Sequence, residues 1–252
     1  MSKSLEKWKG TRTYGLCILL AMLLFFYLVF KILTPQNFGS PSNLYAYLQS
    51  SIIYSVGGCG FYFIVVMGLF DFAVGANVVL SSIVGVILSR QFGYAGFIIG
   101  CLGCGTLIGF LIGIIYNNLN VPSMIVTVGL MLIFESIAVF VAGGVKQTLD
   151  EELRFFSGAP GNLILAALAF LLMYFILNYT KIGTYCNAIG SNEFTAKNMG
   201  INVRKYKLIG FMLLHFFVGI MAILTVSYGT TMTALTGMST MSRNFQPLMG
   251  TF

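Results

Sequence analysis

The chain has 252 residues, of which 58% are hydrophobic and only 8% charged, with a formal net charge of +7. That is roughly a third of the charge an ordinary soluble domain carries, too little to clothe a globule in water, so the composition excludes a soluble protein and makes the bilayer the natural solvent. The basic residues gather in a few loops, which is the footprint of cytoplasmic segments of a membrane protein and not of a nucleic-acid-binding surface.

The amino-terminal residues 1–13 carry Lys3, Lys7, Lys9 and Arg12, so they are expected in the cytoplasm. The following apolar run, from about Tyr14 to Leu33, is long enough to span and has no small-residue cleavage site after it, which makes it an uncleaved first helix. It leads into the turn-rich stretch TPQNFGSPSN. A second run, about Leu44 to Leu69, contains Gly57, Gly58 and Gly60, where a neighbouring backbone can approach closely.

The segment Gly68–Gly75, with Asp71 at its centre, opens a third span ending near Arg90, and a fourth runs from about Tyr94 to Tyr116. Cys101, Gly105, Gly109 and Gly113 recur every four residues there and give one helix a continuous small face for packing. After the short turn NNLNVPS comes a fifth span, about Met124 to Ala142, then a polar stretch holding Asp150, Glu151 and Glu152. The sixth span is about Leu163 to Tyr179, the polar loop 180–207 follows, and the seventh is about Leu208 to Tyr228. The remainder is too short in apolar length for another span and reads as an external or re-entrant segment.

The predicted fold is therefore an all-α polytopic transmembrane bundle of about seven spans in a single domain over 1–252. Counting crossings from a cytoplasmic start places loop 180–207 on the cytoplasmic side. The charge count agrees, because that loop holds Lys181, Lys197, Arg204, Lys205 and Lys207 against the one acid Glu193.

No catalytic constellation emerges, and no residue set has the spacing of a metal site. Cys101 and Cys104 form a CxxC on a membrane helix without a nearby Cys or His, and all five cysteines read as small buried residues. Three ionisable residues fall within or between apolar runs and are candidates for a substrate path: Asp71, Glu135 and the single histidine, His215. Each also has a structural reading. Asp71 accepts the donors of a broken helix start, Glu135 is satisfied by neighbouring helices, and His215 bonds a carbonyl or hydroxyl on another span. No GxxxxGK[ST] phosphate loop is present, so any ATP is bound by another chain.

In the polar loop, Asn192–Met199 has the makings of a short amphipathic helix, with Ser191 as a possible N-cap and Gly200 placed to end it in a left-handed conformation. Such a helix outside the bilayer suits a partner's groove. As the bland alternative, its lysines only fix topology.

The loop carries Thr180-Lys181-Ile182-Gly183-Thr184-Tyr185, then Ala188-Ile189-Gly190-Ser191-Asn192-Glu193, Ala196, and Gly200-Ile201-Asn202-Val203. This resembles the cytoplasmic coupling loop of ribose-type ABC importer permeases, which reads T-x-x-G-x-Y…A-x-G-x-N-x-x-A…G-I-x-V. The segment around Asp71 is similar to that family's G-x-D-L-S-V-G, with Phe72 and Ala73 departing from it, and Ala142-Gly143-Gly144 resembles its external turn. Similarity extends from about residue 50 to about 235. The family pattern then continues with a Gly-rich motif and further spans, where this chain has Met241–Pro247 and then stops, so a truncated or split permease, or a fragment, is expected.

The resemblance implies a multi-pass permease subunit of an ATP-driven importer of sugars or related small polar solutes, in a bacterial inner membrane with a cytoplasmic amino terminus. It implies partners as well: separate ATP-binding subunits, an extracellular substrate-binding protein, and a second permease copy or sister permease. No cofactor of its own is expected and no enzymatic activity. Gly190, Asn192, Glu193, Ala196 and Gly200 are then the candidate ATPase-coupling residues. Competing readings are a permease for nucleosides or branched-chain amino acids, a proton-coupled secondary transporter using Glu135 and His215, and a non-transporting relic.

Overall fold

The computed structural model describes residues 12–34, 40–119 and 121–250. Residues 1–11, 35–39, 120 and 251–252, and with them the expected cytoplasmic amino terminus, lie outside the described residues. The chain divides into two compact units, one up to Ser50 and one from Ser51 onward.

The described residues form α-helices α1 (Arg12–Leu33), α2 (Pro41–Val66), α3 (Val74–Leu119), α4 (Ser123–Ala142), α5 (Gly161–Tyr179), α6 (Lys181–Ser191), α7 (Glu193–Asn198), α8 (Val203–Ser227) and α9 (Ser242–Met249). Two short 3-10 turns, Glu151–Leu153 and Phe155–Ser157, lie between α4 and α5. Among the described residues the only β pairing is an isolated antiparallel bridge between Gln147 and Met232. The described residues thus form an all-α polytopic bundle, as expected.

Five helices are long and apolar enough to cross a membrane, and Cys17–Leu33 is a shorter apolar one. The longest, α3, has 46 residues, about 69 Å if straight and twice what a bilayer core of about 30 Å needs. It is not straight. Gly93 adopts φ 59°, ψ −142°, and the helix folds back there into two arms. A β-carbon on Gly100 would lie 2.8 Å from the Cα of Gly85, which in one continuous helix would be four turns away. The two arms are the third and fourth spans of the sequence reading, and counting them separately gives seven apolar segments.

The second arm packs on α8 through its small-residue stripe. A β-carbon would sit 2.6 Å from the His215 carbonyl oxygen at Gly105, 2.6 Å from that of Phe211 at Gly109, and 2.6 Å from the Leu208 Cδ1 at Gly113. Lipid tails are as apolar as leucine, so burial alone does not drive helices together in a bilayer. Close backbone approach and van der Waals packing do. Across the bundle, α2 reaches α8 the same way at Gly60, and Phe63 stacks on Phe217 with ring centroids 6.3 Å apart.

At one end of the bundle Arg90 Nη2 donates to Gln147 Oε1 (2.8 Å), and Arg154 donates through Nε and Nη2 to the Leu149 carbonyl. Gly143 and Gly144, at φ 62° and 73°, make the turn after α4. The loop bearing α6 and α7 lies at the other end. After α8 the chain re-enters the bundle: Thr240 and Asn244 are buried, and Pro247 packs against Gly57 of α2. The re-entrant reading of this segment is therefore the one the structure adopts.

Two of the expected boundaries move for a visible reason. The second span ends at Val66, not Leu69, because Gly68 at φ 74° terminates it: Leu69 N donates to Ile64 O and Gly68 N to Val65 O, both 2.9 Å. The seventh begins at Val203, not Leu208, because Asn202 Oδ1 accepts from Lys205 N (3.1 Å) and caps it. Arg204, Lys205 and Lys207 thus ride on the first turns of α8.

Candidate functional site

Between α2 and α3 the chain leaves helical conformation over Met67–Ala73, and it does so deep in the bundle, since Asp71 meets His215, the central residue of α8. Non-helical backbone at membrane depth must find partners inside the protein. Phe70 N donates to Ser123 Oγ (3.0 Å) and Phe72 N to Thr127 Oγ1 (3.1 Å), both on α4. Ala73 N donates to Asp71 Oδ1 at 2.6 Å, so Asp71 does accept a donor of the broken helix start. Asn244 of α9 ties the joint to the start of α3: its Oδ1 accepts from Gly75 N (2.5 Å) and its Nδ2 donates to the Phe72 carbonyl (2.7 Å).

A polar chain runs inward from this joint. Asp71 Oδ2 lies 2.8 Å from His215 Nε2, whose Nδ1 lies 2.6 Å from Asn77 Nδ2. Ser81 Oγ donates to Asn77 Oδ1 (2.5 Å). With the amide so oriented, Asn77 donates to Nδ1, and the imidazole hydrogen sits on Nε2 facing the carboxylate. Asp71, Asn77, Ser81 and His215 are all buried. The partners of His215 are a carboxylate and an amide, where the sequence suggested a carbonyl or hydroxyl.

Glu135 of α4, also buried, fastens the re-entrant segment. Its Oε2 accepts from Met238 N (2.9 Å), and its Oε1 from Thr240 N (2.8 Å) and Thr240 Oγ1 (2.6 Å). The two successive left-handed residues Gly237 (φ 81°) and Met238 (φ 63°) turn these amides toward the carboxylate. Thus Asp71 and His215 are brought together and Glu135 stands apart on its own partners. Sequence reasoning missed Asn77, Ser123, Thr127, Thr240 and Asn244. The available signal was polar residues at helical spacing inside or beside apolar runs, as at Asn77 and Ser81.

The polar loop folds as two short helices. Thr180 Oγ1 accepts from Ile182 N (3.2 Å) and caps α6. The cap of α7 is Asn192, whose Oδ1 accepts from Thr195 N (2.9 Å). Ser191, the expected cap, instead ends α6 and donates its hydroxyl to Asn187 O (2.9 Å). Gly200, at φ 84°, stops the chain after α7 as expected.

The coupling candidates take different positions. Gly190 seats the last turn of α6 on α2, because a β-carbon there would overlap the Val66 carbonyl oxygen. Ala196 is buried, 2% exposed, and Glu193 pairs with Lys207 at 2.9 Å. The large apolar side chains exposed on α7 and its C-cap are Phe194 and Met199, 74% and 75% exposed. Beside them a cleft of about 650 Å³ is lined by Tyr116, Pro122, Glu193, Lys197, Arg204 and Lys207.

Residues 43–245 match the family model described as branched-chain amino acid transport system / permease component. The chain belongs to this permease family. Among curated relatives, the xylose/arabinose import permease protein of Sulfolobus acidocaldarius is 36% identical over 119 residues, covering 45% of this chain and 33% of the relative. The ribose import permease protein of Escherichia coli K12 is 27% identical over 210 residues, covering 77% and 64%. The D-allose transport system permease protein of the same strain is 27% identical over 209 residues, covering 79% and 63%. This member of the family therefore spans less than two thirds of the length of each of these relatives. No solved structure matches it. The match takes in the Met67–Ala73 joint, loop 180–207 and most of the re-entrant segment.

Proposed function

We propose that this chain is a membrane-spanning permease subunit of an ATP-driven importer for sugars or related small polar solutes. In this reading separate subunits bind and hydrolyse ATP, since the chain has no phosphate-binding loop. An extracellular binding protein delivers the solute, and a second copy or sister permease completes the pore. The setting is a bacterial inner membrane with the amino terminus and the α6–α7 loop cytoplasmic, in line with the basic residues of both segments. The chain itself performs no covalent chemistry.

The observation that carries the reading is the α6–α7 loop. A capped two-helix platform projects from an apolar bundle and turns two large apolar side chains, Phe194 and Met199, into water. Exposing both on a polar, lysine-bearing surface is costly for a loop that only fixes topology, and it suits a helix received by a groove. Asn192, Glu193, Ala196 and Gly200 then shape the platform from within. Gly190 holds it on α2.

The secondary-transporter reading needs Glu135 and His215 to exchange protons with a path, whereas both are buried and engaged by two or more partners. Cargo has a rival reading as well, because the family description names branched-chain amino acids while the relatives above import sugars. Uptake by cells carrying the chain with its genomic neighbours tests both points. ATP-dependent uptake of a pentose or hexose is expected. Uptake of leucine would replace the cargo, and uptake abolished by proton-gradient collapse but not by ATP depletion would overturn the proposal.

A further inference from the structure

The loop at the end of the bundle abuts the residue that precedes the joint. Gly190 abuts the Val66 carbonyl oxygen, and Val66 is the last residue of α2, so α6 bears on the position where the helix stops. Beyond it the break holds α8 at two levels. A β-carbon on Gly210 would lie 2.5 Å from Met67 Cε, and Asp71 reaches His215. The same seven residues are tied to α4 by Ser123 and Thr127 and to α9 by Asn244. A glycine seated on a carbonyl has no rotamer with which to absorb a displacement. A non-helical segment tied by side chains to three elements can shift only by moving those elements with it.

We propose that the Gly190–Val66 contact makes the Met67–Ala73 break the relay between the α6–α7 loop and the interior, with Asp71 and His215 as the positioning pair at its inner end. The proposal rests on the permease reading only for what moves the loop. The link itself is a property of this chain. Linkage requires it to act in both directions, so loosening the inner end must loosen the loop.

The test is hydrogen exchange followed by mass spectrometry on the full chain in lipid nanodiscs, comparing Gly190→Ala, Gly183→Ala and Asp71→Asn with the parent. Gly183→Ala is the control, because its β-carbon meets the Leu177 carbonyl and not the joint. In Asp71→Asn the side chain keeps its shape, but it can no longer accept through both oxygens.

Gly190→Ala should speed exchange in residues 67–77 and 208–218 by roughly 5- to 100-fold, and Gly183→Ala should act only on residues 177–190. Asp71→Asn should speed exchange in 181–198, which a purely local structural role would leave unmoved. The relay is overturned if Gly190→Ala stays confined to the loop, or if Asp71→Asn leaves 181–198 unchanged. Should Gly190→Ala fail to fold, the Asp71→Asn arm decides alone. Absence of an ATPase partner would refute the proposed function and leave these outcomes as they are.

Discussion

Glu135→Gln is the most informative single change at the re-entrant segment. Glutamine keeps the volume of Glu135 but has one acceptor oxygen where the carboxylate has two. Placed on Thr240, that oxygen still serves its N–H and hydroxyl, while the amide NH2 then faces the Met238 N–H, donor against donor. A buried donor left without an acceptor costs about 1–3 kcal/mol, which corresponds to about 5- to 150-fold more frequent opening of this segment. The Met238 backbone, at φ 63°, is held against an unfavourable local preference worth about 1–3 kcal/mol. Met238→Gly in the Glu135→Gln background should therefore recover part of the loss.

The assay is exchange of the Met238 and Thr240 amides in nanodiscs, with proteolysis of residues 229–250 as a second readout. Both should rise in Glu135→Gln, more so in Glu135→Ala, and fall back in the double variant. Unchanged protection in Glu135→Gln would refute the argument that the carboxylate fastens the segment.

At the α3–α8 contact, Gly109→Leu should cost about 1–3 kcal/mol by overpacking and lower the unfolding temperature in detergent, because even its β-carbon would be 2.6 Å from the Phe211 carbonyl. Gly103→Ala, with nothing within 4 Å of its β-carbon, should be silent in the same scan. Burial pushes the Cys186 thiol up to about 11 from an ordinary 9, so at neutral pH it should resist maleimide. The raised value means stability linked to this thiol is fully present below pH 9 and is lost as pH rises toward 11; Ala196→Trp, by forcing the loop open, should expose it to labelling at pH 7. The Glu193–Lys207 pair is exposed on the acid side and worth about 0–1 kcal/mol. Glu193→Lys should therefore shift loop exchange only slightly, and adding Lys207→Glu should restore it.

Much of the architecture is legible in the residues because it depends on local pattern. Apolar length marks the spans, Gly93 falls between the two runs that the structure folds into a hairpin, and the four-residue stripe Cys101–Gly113 announces a helix contact. Gly200 likewise ends α7 because a left-handed stop needs no long-range partner. What stays hidden is who pairs with whom. Asp71 and His215 are 144 positions apart, and Gly75 and Asn244 are 169 apart; no periodicity connects them. The cap of α7 lies one residue beyond the expected Ser191, because Ser191 and Asn192 are both good caps and α6 runs on through Ser191 before the chain turns. Ala196 shows the same limit: its place in the loop motif is visible, but not that it faces inward.

The proposed function has α7 received by an ATP-binding subunit. The direct measurement is recovery of the chain from its own membranes through an amino-terminal tag, with mass spectrometry of what accompanies it, for the parent and for Phe194→Ser/Met199→Ser. An ATP-binding subunit is expected with the parent and its loss with the double variant, whose fold should persist because both side chains are already exposed. Recovery of the ATP-binding subunit in equal amount with both chains, or with neither, would contradict it.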